Sequence, residues 1–364
     1  MLDLASDSES LSLGLGAIVF VETLVVLPMI AWLFIRSRWR IRRERAIAWF
    51  WDTRIPMLLD CVQDDGRRKR WVDETKHSSR DIARDAILEF LVATAGSYRD
   101  RICLAYGELG FLDADLADLR SPIRSARLRA LRRLTLVASE GEREAIRSVV
   151  DPTWAVRVLR TQILARIGTA EDVHDNLMEW KVTSRLHEHA LKVVLETIPI
   201  QEFRRILLVW NAFPDPAVRR DLLAVGAVRA PALTESLLAG AAIDDSEEVR
   251  MGACQAAARL LGDTSVPLLL RLLEDTAWEV RAQAAKGLAM FGDPDAVADL
   301  GRHLSDASFW VRQNAASSLG THGPPGHDFL ISTAVMGRDR FARDAAAAEL
   351  NRSSLMLERR RRGR

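Results

Sequence analysis

The stretch EDTAWEVRAQAAKGLAMFG, Glu274 to Gly292, returns along the chain in altered copies. Aligned on its Val280-Arg281 pair, DSEEVRMGACQAAARLLG places Val249-Arg250, DASFWVRQNAASSLG places Val311-Arg312 and RDRFARDAAAAEL places Ala342-Arg343. Upstream, PDPAVRRDLLAVG places Val218-Arg219 and DPTWAVRVLRTQILARIG places Val156-Arg157. The steps from Arg219 through Arg250, Arg281 and Arg312 to Arg343 are each 31 residues; Arg157 to Arg219 is 62, two such steps. The skipped copy falls on TSRLHEHALKVVLETI, with Glu188 in the arginine slot, and a weaker copy surrounds Arg124 and Arg127. A fixed period of this length marks a stacked repeat architecture.

One unit is legible physically. After the arginine, Ala282, Ala285, Leu288 and Ala289 recur at helical spacing, as do Ala253, Ala256, Ala257 and Leu260. Each set is one apolar stripe of a helix. Asp151, Asp244, Asp275 and Asp306 stand six residues before the arginine slot, where an acidic N-cap is expected; Asp215 precedes Arg219 in the same role. Gly168, Gly262 and Gly292 follow as helix stops. A shorter helix, such as SVPLLLRLLE, precedes each copy. Such a pair cannot bury both apolar faces alone, but stacked on neighbours it can.

The D-x-x-x-x-V-R-x-x-A-x-x-x-L-G pattern resembles HEAT repeats, in particular the short bacterial HEAT-like repeat of the phycobilisome-lyase type, over Leu119 to Asn351. The resemblance implies a right-handed, armadillo-like α-solenoid. It also implies that the shared Asp and Arg bond between neighbouring repeats, so that Asp151, Arg157, Asp215, Arg219, Arg250, Asp275, Arg281, Asp306 and Arg312 are structural.

Of the 364 residues 48% are hydrophobic and 28% charged, and the net charge of +1 gives no global field that favours nucleic acid. Cys61, Cys103 and Cys254 form no metal-ligand spacing and read as buried apolar residues in a reducing compartment. The start differs sharply from the rest. LSLGLGAIVFVETLVVLPMIAWLFI, residues 11–35, carries one charge, Glu22, and is long enough to span a bilayer. RSRWRIRRER follows, with Arg36, Arg38, Arg40, Arg42 and Arg43 as the topology signal. The expectation is an uncleaved single-pass anchor in a bacterial inner membrane, N-terminus outside and repeats in the cytoplasm. Glu22 is a candidate contact with another membrane helix, and the arginines are candidates for anionic lipid headgroups.

The expected organisation is therefore an acidic segment 1–10, a transmembrane helix 11–35, a basic juxtamembrane segment and linker 36–79, divergent capping helices 80–118, a solenoid 119–352 and a basic tail 353–364. Within it, Ala46–Val62 reads as a juxtamembrane helix or a first helix of the body, Asp64–Ser79 as a polar loop, and Thr321–Asp328 (THGPPGHD) as a connector. The whole layout is similar to that of bacterial single-pass membrane HEAT-repeat proteins. That similarity implies a partner such as a membrane glycosyltransferase of the exopolysaccharide type.

No phosphate-loop or nucleophile-elbow motif occurs. Of the seven histidines only His187-Glu188-His189 cluster, too few ligands for the di-iron site of the deoxyhypusine hydroxylases, which share such repeats. No cofactor is expected. Trp154 and Trp278 fill the slot three before the arginine, as Phe309 does, while Trp180 and Trp210 stand outside the pattern; all four tryptophans are candidates for a partner surface. The reading is a membrane-anchored, non-catalytic scaffold or regulator that binds a membrane protein or complex and no nucleic acid. The alternative is a catalytic HEAT-like protein, a phycobilin-lyase-like enzyme or a metal-dependent hydroxylase.

Overall fold

The alanine-rich copies fold as the sequence pattern requires. Each is a helix whose small residues let its neighbours pack along its length, and each is paired with the shorter helix before it. A computed structural model describes residues 29–30, 32–58, 64–76 and 80–362, with side chains described as far as residue 352. These residues are helical with no strand among them, and they divide between Val137 and Ala138 into two compact units.

The first unit contains α1 (32–58), α2 (Asp65–Thr75), α3 (Arg80–Val92), α4 (Ser97–Glu108), α5 (Phe111–Leu119) and α6 (Arg124–Val137). Phe50, Ile55 and Leu58 of α1 are buried, so this end of the helix packs into the body of the unit. The polar stretch expected as a loop over 64–79 is instead the helix α2. Asp64 caps it by accepting from the Gly66 N–H, and Trp71, Val72 and Thr75 are buried on one face. On that side Arg68 reaches Glu108 at 3.0 Å, and the Trp71 indole donates to the Arg54 carbonyl. A mean polarity typical of loops hid a three-residue apolar face. The weak repeat copy at Arg124 and Arg127 lies on α6, which packs on α5 within this unit.

The second unit holds α7 (Arg143–Arg147), α8 (Trp154–Ile167), α9 (Ala170–Met178), α10 (Arg185–Thr197), α11 (Ile200–Leu208), α12 (Pro216–Arg229), α13 (Pro231–Ala241), α14 (Glu247–Leu260), α15 (Ser265–Leu272), α16 (Trp278–Leu288), α17 (Ala296–Arg302), α18 (Phe309–Leu319), α19 (Gly323–Met336) and α20 (Arg340–Arg362). The even-numbered helices stack on one another in chain order and form one layer. The odd-numbered ones from α9 to α13 and from α15 to α19 stack beside them as the other. This is a two-layer α-solenoid, with its core running continuously between the layers from Ala165 to Ala346.

Three local expectations are corrected. The connector THGPPGHD is not a loop: Gly323, at φ +66°, turns the chain, and the prolines that follow sit in the first turn of α19, where their missing N–H costs nothing. Gly262 does not supply the left-handed stop after α14, because Leu261 does, at φ 52°. The segment expected as a tail from residue 353 continues the α20 helix through Arg362. No helix among the described residues is long and apolar enough to cross a membrane. The expected span 11–35, with Glu22, lies outside the described residues except for 29–30 and 32–35, which are helical and exposed. Cys61 also lies outside them.

Candidate interaction surface

The repeated aspartates were expected to cap their own helices. In α14, α16 and α18 the cap positions are instead Ser246, Ala277 and Ser308, none with a side-chain cap bond. The aspartate two residues earlier folds its carboxylate over that position: Asp244 Oδ1 accepts from Ser246 N, Asp275 Oδ1 from Ala277 N and Asp306 Oδ1 from Ser308 N, at 2.7–2.9 Å. The carboxylate is thereby aimed at the preceding repeat. Arg219 binds Asp244 through Nε and Nη2 at 3.2 and 2.9 Å, Arg250 binds Asp275 at 2.7 and 2.9 Å, and Arg281 binds Asp306 at 2.8 and 3.1 Å. Each arginine spends its Nη1 on the main chain just before its own helix; for Arg250 these are the carbonyls of Asp244 and Asp245.

One guanidinium thus ties the loop of its own repeat to the carboxylate of the next, in the fork geometry that makes arginine–carboxylate pairs strong. Burial pushes the Asp275 and Asp306 carboxyls up. The arginine hydrogen bonds and charges and the backbone N–H outweigh it, and both are held below the usual carboxylate value.

The ladder has two ends. Val182 stands 25 residues after Arg157, where a carboxylate would be, and Arg157 donates to the Glu179 carbonyl instead. Asp151 accepts from Thr153 N, and Asp215 caps α12 and also accepts from Val182 N at 2.9 Å. At the other end Gly337 stands 25 residues after Arg312. Arg312 keeps the main-chain half of the rung, donating through Nη1 to Asp306 and Ala307 carbonyls at 2.7 and 3.0 Å. Its Nε and Nη2 meet no carboxylate among the described residues. The guanidinium lies 5.9 Å from the ring of Phe309 and 4.9 Å from that of Phe341.

Two of the tryptophans expected at a surface are core residues. Trp180 is 1% exposed and Trp210 5%. They break the repeat pattern as large residues of the continuous core, not as residues that face a partner. Trp154 is half-buried, 4.6 Å from Trp180 and stacked on His187 at 3.9 Å. Trp278 is exposed, at 40%. With it come three residues of which the sequence pattern singled out only Phe309 and neither Trp310 nor Phe341: Phe309 at 57%, Trp310 at 58% and Phe341 at 59%. These four rings sit at the starts of three consecutively stacked helices, α16, α18 and α20. The signal was available in the slot two before the arginine, which holds Glu248 and Glu279 and then Trp310 and Phe341.

A second charged cluster joins α10, α12 and α14. Arg220 donates to Asp221 at 2.9 Å and lies near Glu188 and Glu248, with Lys192 at 3.8 Å from Asp221. Burial raises the Asp221 carboxyl above its ordinary value in spite of the Arg220 bond and charge. Glu188, in the arginine slot, therefore faces Arg220 of the following repeat. In the first unit Tyr106 donates to fully buried Asp115 at 2.6 Å, and Arg133 donates to the same carboxylate at 2.9 Å. Burial, ahead of the bond to Asp115, pushes the Tyr106 phenol up.

The basic segment lies on α1. Arg36 stacks over Trp32, Arg38 lies over Phe34, and Arg43 pairs with Asp85 at 3.1 Å. Arg36, Arg40, Arg42 and Arg43 line an open cleft of about 760 Å³ together with Arg84, Arg133, Asp81 and Asp85. No group of His, Cys, Asp or Glu that could hold a metal occurs among the described residues. Cys254 is buried, and burial raises its thiol.

Residues 265–351, from α15 into α20, match the family described as HEAT repeats. Among curated proteins, none matches the sequence. The chain is similar to the crystal structure of Kap121p at 16% identity and a TM-score of 0.45, over 84% of this chain and 42% of that one. It is similar to Kap121p bound to Nup53p at 16% and 0.45, over 78% and 39%. It is also similar to the E. coli protein YibA at 19% and 0.40, over 66% of this chain and 92% of that one. The chain spans less than half the length of Kap121p.

Proposed function

We propose that this chain is a non-catalytic scaffold or regulator that holds a protein partner at a bacterial inner membrane. The observation that carries the reading is the ridge of Trp278, Phe309, Trp310 and Phe341, four exposed rings at the starts of three stacked helices, the first two of which an arginine–aspartate rung joins. Clustered aromatic side chains in water are costly unless a partner covers them, and they are the side chains that dominate protein interfaces. The apolar stretch 11–35 and the arginines after it support a single-pass anchor with the repeats in the cytoplasm. The cleft lined by Arg36, Arg40 and Arg43 suits anionic lipid headgroups. The layout favours a membrane enzyme as partner, with a glycosyltransferase of the exopolysaccharide type as the first to test.

The test is purification of the full-length chain from its own membranes in mild detergent, beside the variants Trp310→Ala and Glu22→Leu. The expected result is a chain that resists alkaline extraction from membranes and brings down a membrane protein, lost or depleted in Trp310→Ala. Release of the chain by alkali removes the anchor from the reading. Equal recovery of every co-purifying protein with Trp310→Ala removes the ridge.

A further inference from the structure

We propose that Arg312 is an open rung of the ladder, built to receive the carboxylate of an aspartate or glutamate on the partner protein. The inference rests on the scaffold reading and names the contact at its centre.

The three closed rungs define what this guanidinium edge takes. In each, Nη1 is fixed on two main-chain carbonyls, and Nε with Nη2 grips a carboxylate. Arg312 makes the same Nη1 bonds, to Asp306 and Ala307. Its side chain is therefore already ordered and its forked edge already presented, so a partner acid need not bear the cost of ordering it. What is missing is the acid. In the last repeat the aspartate has moved two residues on, to Asp339, where it accepts from Ala342 N at the start of α20.

Among the described residues, position 337 is closed to such an acid. Gly337 closes α19 by donating to the Thr333 carbonyl at 2.9 Å. A Cβ at residue 337 would lie 2.5 Å from that same carbonyl oxygen, closer than packed atoms come. An aspartate there needs the backbone to shift.

The surroundings select the ligand. Phe309 and Phe341 flank the guanidinium, and Trp310 lies 5.4 Å from Phe309 at a steep angle. A carboxylate reaching Arg312 is thereby partly desolvated, which strengthens its bonds. Arg338, Arg340 and Arg343 stand nearby in sequence against Asp339 and Asp344, a local excess of positive charge. The fitting partner is a segment with an acidic side chain next to a bulky apolar one. The acid takes the rung and the apolar residue lies on the aromatic ridge.

The experiment uses the full-length chain in detergent as bait for phage-displayed random dodecapeptides, followed by titration of one synthetic winner. Enriched peptides are expected to carry an Asp or Glu beside an aromatic or aliphatic residue. Binding should weaken about tenfold or more in Arg312→Gln, as for loss of charge-assisted bonds. A Glu→Gln change in the peptide should weaken binding to the wild-type chain by a similar factor and cost little more against Arg312→Gln. Phe341→Ala, an exposed change that leaves the fold alone, should also weaken binding. Peptides that bind Arg312→Gln as well as wild type would overturn the open rung while leaving the scaffold reading intact. If no peptide is enriched, the open rung falls; the scaffold reading falls only if the membrane purification also brings down nothing.

Discussion

From Arg219 to Asp306 adjacent repeats are tied by arginine–carboxylate rungs, whereas from Arg157 to Phe213 they are tied by rings, apolar contact and single carboxylate bonds to the main chain, such as Asp215 to Val182 N. The fold is the same in both regions. In the first, each guanidinium spans two loops and each carboxylate is oriented by its own backbone N–H. In the second, the carboxylate positions are Val182 and Phe213, and Trp154, Trp180 and His187 stack where a rung would be. Arg160 stands in as a local polar anchor, bonded to Asn176, to the Val149 carbonyl and to Glu179. The difference teaches that the period fixes helix stacking, while the link between stacked loops is interchangeable. Each kind of link should therefore fail differently.

The largest expected effect is in the ring-tied region. Trp180→Ala removes a fully buried indole and should cost about 3–5 kcal/mol, read by urea unfolding followed by circular dichroism. Trp180→Phe should cost much less, because the indole N–H has no hydrogen-bond partner to lose. Equal losses for Phe and Ala would mean that shape rather than apolar volume holds this region.

A middle rung comes next. Arg250→Ala strands the Asp275 carboxylate, whose side chain is only 9% exposed. Breaking a fully buried pair costs about 3–5 kcal/mol; with both partners edging on solvent, about 2 kcal/mol is expected. Arg250→Ala combined with Asp275→Ala should recover part of the loss, since no charge is then stranded. Arg157→Ala, which leaves only the Glu179 carbonyl without its donor, should cost less than Arg250→Ala. If it costs as much, the two regions do not differ in the way claimed.

Acid sharpens the contrast. The Asp275 and Asp306 carboxyls titrate below the ordinary aspartate value when folded, because their arginines and backbone N–H groups outweigh burial. Their contribution is therefore full above the unfolded value and lost as pH falls through the folded one. Asp221 has the opposite sign: burial first, against Arg220 and Lys192, raises its folded value above the ordinary one. It costs nothing at low pH, and its penalty grows as pH rises through that raised value. Melting temperature should thus fall less steeply below about pH 4 in Asp275→Asn than in wild type, whereas Asp221→Asn should differ from wild type above about pH 4, where acid no longer relieves a buried charge and the fall on acidification is steeper.

How much of this the sequence could carry depends on how local the cause is. Val280 and Arg281, with the alanines after them, announce a helix, its buried stripe and its period, because all three are set within one turn or one repeat. The pairing of Arg250 with Asp275 needed the family resemblance, since nothing in one unit says that its carboxylate points backwards. The helix at Asp65–Thr75 was hidden by charges that only become partnered when Glu108 and Arg54 arrive from elsewhere. Trp180 and Trp210 misled for a related reason. Departure from a repeat marks a residue with a special job, and here that job is packing in the core. Trp310 and Phe341 occupy a slot where earlier repeats carry glutamate, and only their exposure distinguishes a surface ring from a buried one.

The smallest effect is expected where the ladder ends. Arg281→Ala removes one arm of a rung and leaves Asp306, 7% exposed, without its guanidinium. Arg312→Ala removes the corresponding arm and leaves only the part-buried Asp306 carbonyl and the exposed Ala307 carbonyl without their donor. The attraction between its guanidinium and the exposed rings of Phe309 and Phe341, which the same substitution abolishes, is worth about 0.5–1 kcal/mol. Arg312→Ala should therefore lower stability by less than Arg281→Ala in the same urea series, because it strands no carboxylate. A loss equal to that of Arg281→Ala would mean that Arg312 already has an acid within the chain. A loss well short of it fits a guanidinium that leaves no carboxylate stranded, and the peptide titration then decides whether a partner supplies one.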